Sequence, residues 1–211
     1  MFDNSVAITP KTIDDKVLEL CRKIDPSQLP VFIDVLGDPQ LKQNNCFENV
    51  GFKVQKDGGK IQYGWTIWEH SGGMIEGEFH AVWDNPQGQL LDITPKVDRE
   101  EKILFLPDSV RVYKNEPVDN IRMLTVDTPE NRLTVKIGEA KFELLRKYSI
   151  NGIPQVPLVE YDRMLARFGL NPGHRDSISP YEPCPCGSGK KFKFCCQETI
   201  RNIISRARTR I

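Results

Sequence analysis

The chain has 211 residues, enough for one good hydrophobic core and a small appendage. Lys plus Arg and Asp plus Glu number 29 each, and no apolar run approaches the length of a membrane-spanning helix. The net charge of zero is unevenly spread, because residues 184–211 carry seven Lys or Arg against one Glu. That tail is formally +6 and the preceding 183 residues are −6. A basic tail on an acidic body suits an anionic partner such as RNA, a membrane surface or an acidic protein; a merely solvated tail is the alternative.

Residues 12–24 predict an amphipathic helix, with Val17, Leu20, Cys21 and Ile24 spaced i, i+3, i+4, i+7. Cys21 is then a buried core thiol. Asp25 and Pro26 end that helix, and residues 30–36 form a short apolar segment stopped by Gly37 and Pro39. A second helix starts near Cys46, with Asn45 as N-cap and Glu48 in the capping-box position, and runs to about Lys56 before Gly58 and Gly59.

Strands follow. Tyr63, Trp65 and Ile67 alternate on one face, as do Phe79, Ala81 and Trp83, which leaves Glu78, His80 and Val82 on the other. Asn85, Pro86, Gln87 and Gly88 signal a turn, and residues 89–94, 103–106 and 110–113 predict further short strands. The expectation is an antiparallel sheet packed against the Cys46 helix. Residues 115–133 carry no clear pattern. Residues 135–148 predict a helix, and Leu158, Tyr161, Leu165 and Phe168 give another helical face. Residues 171–183, with three prolines and little apolar content, predict a linker, and residues 197–211 a basic helix or a frayed end.

Four of the six cysteines crowd into Cys184-Pro-Cys186-Gly-Ser-Gly-Lys-Lys-Phe-Lys-Phe-Cys195-Cys196. Two thiolate pairs joined by a short turn can wrap one tetrahedral Zn2+, which favours soft sulfur ligands in a closed site. The glycines let the backbone turn tightly and aim N–H groups at the sulfurs. Lys190, Lys191 and Lys193 offset the charge of −2 that four thiolates and one zinc leave. The alternatives are disulfides or free thiols. Disulfides need an oxidising compartment, and no apolar stretch of signal-peptide type follows Met1, Phe2, Asp3 and Asn4, so the expectation is a cytoplasmic protein. The run resembles the SEC-C motif, found at the end of the SecA translocase and in many other bacterial proteins. That resemblance implies Cys184, Cys186, Cys195 and Cys196 as zinc ligands, and a small zinc knuckle that docks to proteins or ribosomes and performs no catalysis.

Outside the knuckle, Cys46, His80 and Asp92 occur in that order, on a helix start and two neighbouring strands. A cysteine nucleophile needs its thiolate, which a helix N-terminus favours, and an imidazole base held by an orienting group. If Asp84 pairs with Gly88 around a three-residue turn, His80 faces Asp92 directly. His70 is a second candidate base. Each residue also has a plainer reading: Cys46 as a small buried hydrophobe, His80 as a hydrogen-bonded structural histidine, Asp92 as an organiser of the turn before Thr94 and Pro95. The order resembles the papain-like cysteine superfamily, in particular the His80-Ala-Val-Trp83 and Leu91-Asp92-Ile-Thr-Pro95 stretches of transglutaminase-like and NlpC-type domains. That resemblance implies nucleophile, base and orienter in turn.

Together these readings predict an α+β chain: a papain-like helix-plus-antiparallel-sheet domain over residues 1–168, a linker over 169–183, and a zinc knuckle with its basic tail over 184–211. They predict either a cytoplasmic thiol hydrolase or acyl transferase docked through the knuckle, or a non-catalytic adaptor that binds a protein, a ribosome or RNA.

Overall fold

The computed structural model describes residues 7–96 and 100–208. The chain start at Met1, Phe2, Asp3 and Asn4 and the final residues of the basic tail lie outside them. Two compact units emerge, one of residues 6–114 and 118–125, the other built mainly of residues 126–211.

In the first unit, β1 (Ala7–Ile8) precedes α1 (Asp15–Ile24). Asp14 caps α1 by accepting from the Val17 amide at 2.9 Å, and Val17, Leu20 and Cys21 supply its buried stripe. β2 (Val31–Val35), α2 (Cys46–Asp57), β3 (Lys60–His70), β4 (Met74–Asp84), β5 (Leu90–Asp92), β6 (Lys102–Pro107) and β7 (Ile121–Leu124) follow. β3 and β4 form a long hairpin, paired from Lys60↔Asp84 to His70↔Met74. β6 lies antiparallel to both β3 and β2, β2 runs parallel to β5, and β5 returns antiparallel to β4. The order β3-β6-β2-β5-β4 therefore closes back on β3, with β1 and β7 added outside the ring.

This closed, five-stranded, mixed barrel corrects the expected papain-like helix-plus-antiparallel-sheet fold. The parallel β2–β5 pair, with Asp34↔Leu91 and Val35↔Asp92, breaks the all-antiparallel pattern, and the β3–β4 pairing removes the open edges. Closure needs one very close approach. At Gly64 an added Cβ would lie 2.3 Å from the Leu106 carbonyl oxygen and 2.4 Å from the Phe105 ring, so only glycine fits.

Alternation sorts the core into layers. Trp65, Ile67, Ile75, Phe79, Leu104 and Leu106 pack under Val17, Leu20 and Cys21 of α1. Ala81 and Ile93 pack under Cys46 and Val50 of α2. Ile33, Val82, Ile103 and Phe105 meet on the opposite face, which the ring turns inwards. The strand expected over residues 110–113 does not form. Asp108 Oδ1 accepts from the Val110 and Arg111 amides at 2.9 and 2.7 Å, and this local turn takes the donors that a ladder would use.

The second unit holds α3 (Pro129–Tyr148), the small β8 (Ser149–Ile150) and β9 (Ile153–Pro154) hairpin, α4 (Leu158–Arg167) and α5 (Gln197–Arg208). Thr128 caps α3 through the Asn131 amide at 3.1 Å, with Pro129 at the first helical position. Leu133, Met164, Leu165, Leu170, Phe192 and Ile200 form one cluster with Cys184, Cys186 and Cys196. Residues 169–183 do not hang free between them. Arg163 holds Asp176 at 3.0 Å, the Ile178 amide donates to Ala166, and the Phe192 and Lys193 amides donate back to Glu182 and Pro180. The division between the two compact units falls near residue 126.

Candidate functional site

β4 positions the first group. On one side it pairs with β7 over residues 74–77 and with β5 only at Trp83 and Asp84, so residues 78–82 lack a strand there among the described residues. A cleft of about 410 Å3 opens at this gap, lined by Glu78, Phe79 and His80 of β4 together with Cys46, Trp68 and Lys96.

The β4–β5 register differs from expectation. Asp84 pairs with Leu90, because Asn85 organises a longer loop by accepting from the Gln87 and Gln89 amides. His80 and Asp92 are therefore diagonal neighbours on the same face, within reach of two long side chains. His80 Nε2 meets Asp92 Oδ2 at 3.0 Å, and both residues are buried. The Thr94 amide donates to Asp92 Oδ1 at 2.9 Å and fixes the carboxylate's rotation.

Cys46 enters from α2. Asn45 occupies the N-cap but its side chain caps no amide; it donates to Glu48 Oε2 at 2.6 Å instead. The expected capping box is thus replaced by a side-chain pair, and the first amides of α2 keep no side-chain acceptor from the cap. Buried Asn49 ties this helix to the loop and to the end of β5, donating to the Lys42 carbonyl at 2.8 Å and to Thr94 Oγ1 at 3.3 Å.

The electrostatics join all three groups. Burial alone would lower the His80 pKa, but the negative charge of a Cys46 thiolate, the Asp92 carboxylate and hydrogen bonds to both push it up to about 9. Burial works against the Asp92 carboxylate, yet His80 and Lys96 hold its pKa down at about 2. With Nε2 given to Asp92, Nδ1 is the nitrogen left for the Cys46 thiol. The structure therefore brings Cys46 and His80 to one cleft, with Asp92 fully buried against His80. Phe47 stacks on Tyr113 at 3.8 Å and makes the aromatic wall beside them.

One feature escaped the sequence reading. Lys96 Nζ reaches Asp92 Oδ2 at 2.6 Å and so shares that oxygen with His80; its i+4 spacing from Asp92 was the available signal. His70, the second candidate base, bonds Glu76 at 2.9 Å in a cluster with Asn120 and Arg122.

The second candidate site is the cysteine cluster. The four sulfurs of Cys184, Cys186, Cys195 and Cys196 lie within 4.8 Å of one another. Cys186 and Cys195 are 3.5 Å apart and Cys195 and Cys196 3.8 Å. A zinc ion with sulfur at ~2.3 Å needs tetrahedral edges of ~3.8 Å, so the arrangement fits such an ion. Gly187 and Gly189 take φ of 77° and 75°, which lets the loop turn back between the pairs. Backbone N–H groups of Cys186 and Cys196 point at the Cys184 sulfur, and that of Ser188 at the Cys186 sulfur. Lys190, Lys191 and Lys193 are all exposed around the loop.

A model of the SEC-C motif matches residues 182–198. The protein translocase subunit SecA of Syntrophus aciditrophicus is 33% identical over 94 residues, covering 42% of this chain and 11% of that protein. SecA of Desulfotalea psychrophila is 64% identical over 25 residues, covering 12% of this chain and 3% of its own. The chain thus spans about a tenth or less of these relatives. No solved structure matches the chain. None of these matches is to a papain-like enzyme, so that resemblance gains no support. The chain carries a SEC-C motif with a cysteine cluster able to hold a metal ion, and among the described residues no helix is long and apolar enough to cross a membrane.

Proposed function

We propose that the chain is a cytoplasmic thiol hydrolase or acyl transferase, docked to a partner through a zinc knuckle. The observation that carries the reading is the buried contact of His80 with Asp92 in the cleft that Cys46 enters. It rests on this geometry and not on any shared fold. The Cys46 thiolate attacks the carbonyl carbon of an amide, isopeptide or thioester, and the acyl group passes to sulfur as the leaving group departs. His80, charged in its pair with Cys46, gives its proton to that leaving group and then takes one from the incoming water or amine. Asp92 holds the ring in one tautomer. The first amides of α2, without a side-chain cap, face the developing oxyanion.

Cys184, Cys186, Cys195 and Cys196 would hold zinc, which supplies structure: it pins the two cysteine pairs together and adds no reactive position, since all four ligands come from the protein. The docking face is exposed. Tyr181 and Phe194 are about two-thirds exposed, and Lys191 and Lys193 lie 5.7 and 5.4 Å from the centre of the Tyr181 ring. That basic and aromatic surface, on a motif shared with translocase subunits, favours a protein partner. It equally supports the second reading, a non-catalytic adaptor for a protein, a ribosome or RNA.

The test is to incubate the zinc-loaded protein with small acyl thioesters and analyse tryptic peptides by mass spectrometry. An acyl adduct on Cys46, absent in Cys46→Ala, supports the enzyme. Thioester turnover unchanged in Cys46→Ala, or no adduct and no turnover with any thioester, leaves the adaptor.

A further inference from the structure

Resting on the proposed role of Cys46, we infer that its cleft selects substrates bearing a protonated amine or guanidinium beside the reacting acyl group. Three carboxylates line the cleft: Glu76, Glu78 and Glu100. Glu76 is already matched, with Arg122 at 3.3 Å and His70 at 2.9 Å. Among the described residues Glu78 and Glu100 have no such match. There, solvent-exposed Glu78 accepts only the neutral Trp68 indole N–H, at 2.8 Å, and Glu100 Oε1 accepts the Thr9 amide at 3.0 Å. The second oxygen of Glu100 is shielded from solvent and has no hydrogen-bond partner among the described residues. A buried carboxylate oxygen left without a donor is costly, and a cationic ligand would satisfy it.

The cleft's own cation does not balance them. Lys96 is held by Asp92 at 2.6 Å, and His80 answers the charges of Cys46 and Asp92. Among the described residues, two negative charges therefore remain. Trp68, Phe47 and Phe79 supply aromatic faces in the same cleft, and a cation gains further from such faces. Carboxylates and aromatic rings in one partly closed cleft make a negative potential, unfavourable for anions and favourable for cations.

The experiment compares three methanethiosulfonates on the zinc-loaded full chain: one carrying a trimethylammonium group, one a sulfonate and one a plain methyl. In each, the Cys46 thiolate attacks the sulfenyl sulfur, a disulfide forms, and methanesulfinate leaves with the bonding electron pair. Rates at Cys46, read by peptide mapping, are divided by those of a free small thiol with the same reagent. Two carboxylates within a Debye length predict a cation-over-anion preference on the order of tenfold at low salt. The preference should shrink in 0.5 M salt and in Glu78→Gln and Glu100→Gln. Equal rates, or a faster anion, with the methyl reagent still labelling Cys46 first would overturn the substrate inference and leave the nucleophile standing. If no reagent labels Cys46 ahead of Cys21, the nucleophile assignment fails, and this inference goes with it.

Discussion

Removal of the metal should unfold the helical unit and spare the barrel. The cysteine cluster is not an appendage in this structure: Cys184, Cys186 and Cys196 share one buried cluster with Leu133 of α3, Met164 and Leu165 of α4 and Ile200 of α5. Cys196 is fully buried, and its thiol points at the Pro129 carbonyl at 3.7 Å, where α3 begins. A structural zinc contributes ~10–16 kcal/mol to folding, against a total stability of ~5–15 kcal/mol for an ordinary domain. Losing it therefore exceeds what α3, α4 and α5 retain by packing alone. These three helices hold 20, 10 and 12 residues, most of the α-helix in the protein, whereas Trp65, Trp68 and Trp83 all lie in the barrel. Chelation followed by circular dichroism and tryptophan fluorescence separates the two units. The 222 nm signal should fall by more than half, with tryptophan emission unchanged, and Cys196→Ser should reproduce the effect without chelator. A helical signal that survives chelation would refute the reasoning, as would collapse of both signals together.

Four further outcomes follow from the barrel and its cleft. Iodoacetamide should label Cys46 before Cys21 in the zinc-loaded protein, because burial pushes the Cys21 thiol up to about 11; equal labelling on peptide maps counts against a nucleophile at Cys46. Asp92→Asn should leave the fold in place by circular dichroism, lower thioester turnover by roughly 10^2–10^4 and move the His80 NMR titration to lower pH; an unmoved titration removes Asp92 from its role. The His80 pKa is raised above its unfolded value of about 6.5, so its contribution is complete below that pH and is lost as pH rises through about 9. Urea unfolding of the barrel should therefore weaken by on the order of 3 kcal/mol between pH 6.5 and 9.5, and a profile unchanged by His80→Gln would contradict this. Gly64→Ala should cost about 3 kcal/mol, since the new methyl meets a backbone oxygen on β6 that can move only by opening the ring; a neutral result argues against this closure.

Much of the barrel unit was legible because its signals are local. Val17, Leu20, Cys21 and Ile24 declared α1, and alternation declared β3 and β4. Closure was not legible. β2 and β5 pair in parallel across more than fifty intervening residues, and nothing near Asp34 or Leu91 announces the other. The residues around the cleft survived a wrong register for a simple reason. Pairing Asp84 with Leu90 instead of Gly88 slides β5 by two residues, and a shift of two keeps every side chain on its face. A shift of one would have separated His80 from Asp92. Residues 169–183 make backbone and charged contacts, such as Arg163 to Asp176, which hydropathy does not register because it reads only apolar burial.

On the proposed reading, the barrel delivers the three groups by means that owe nothing to a papain-like fold. β4 presents His80 where its neighbouring strands part, the last residue of β5 presents Asp92, and the uncapped start of α2 presents Cys46. What sets this cleft apart is that one carboxylate oxygen serves two cations. Asp92 Oδ2 lies 3.0 Å from His80 and 2.6 Å from Lys96, while the Thr94 amide holds Oδ1. Lys96 draws charge from the oxygen that would otherwise stabilise the imidazolium alone, so it works against the high His80 pKa while it keeps the carboxylate ionised. Lys96→Met should then raise the His80 titration further and slow any step in which His80 must give up its proton. Lys96 is on this argument a positioning residue: it sets how readily the imidazole releases a proton without touching the acyl group. A His80 titration that falls, or that stays put, in Lys96→Met would show that the shared oxygen carries no such coupling.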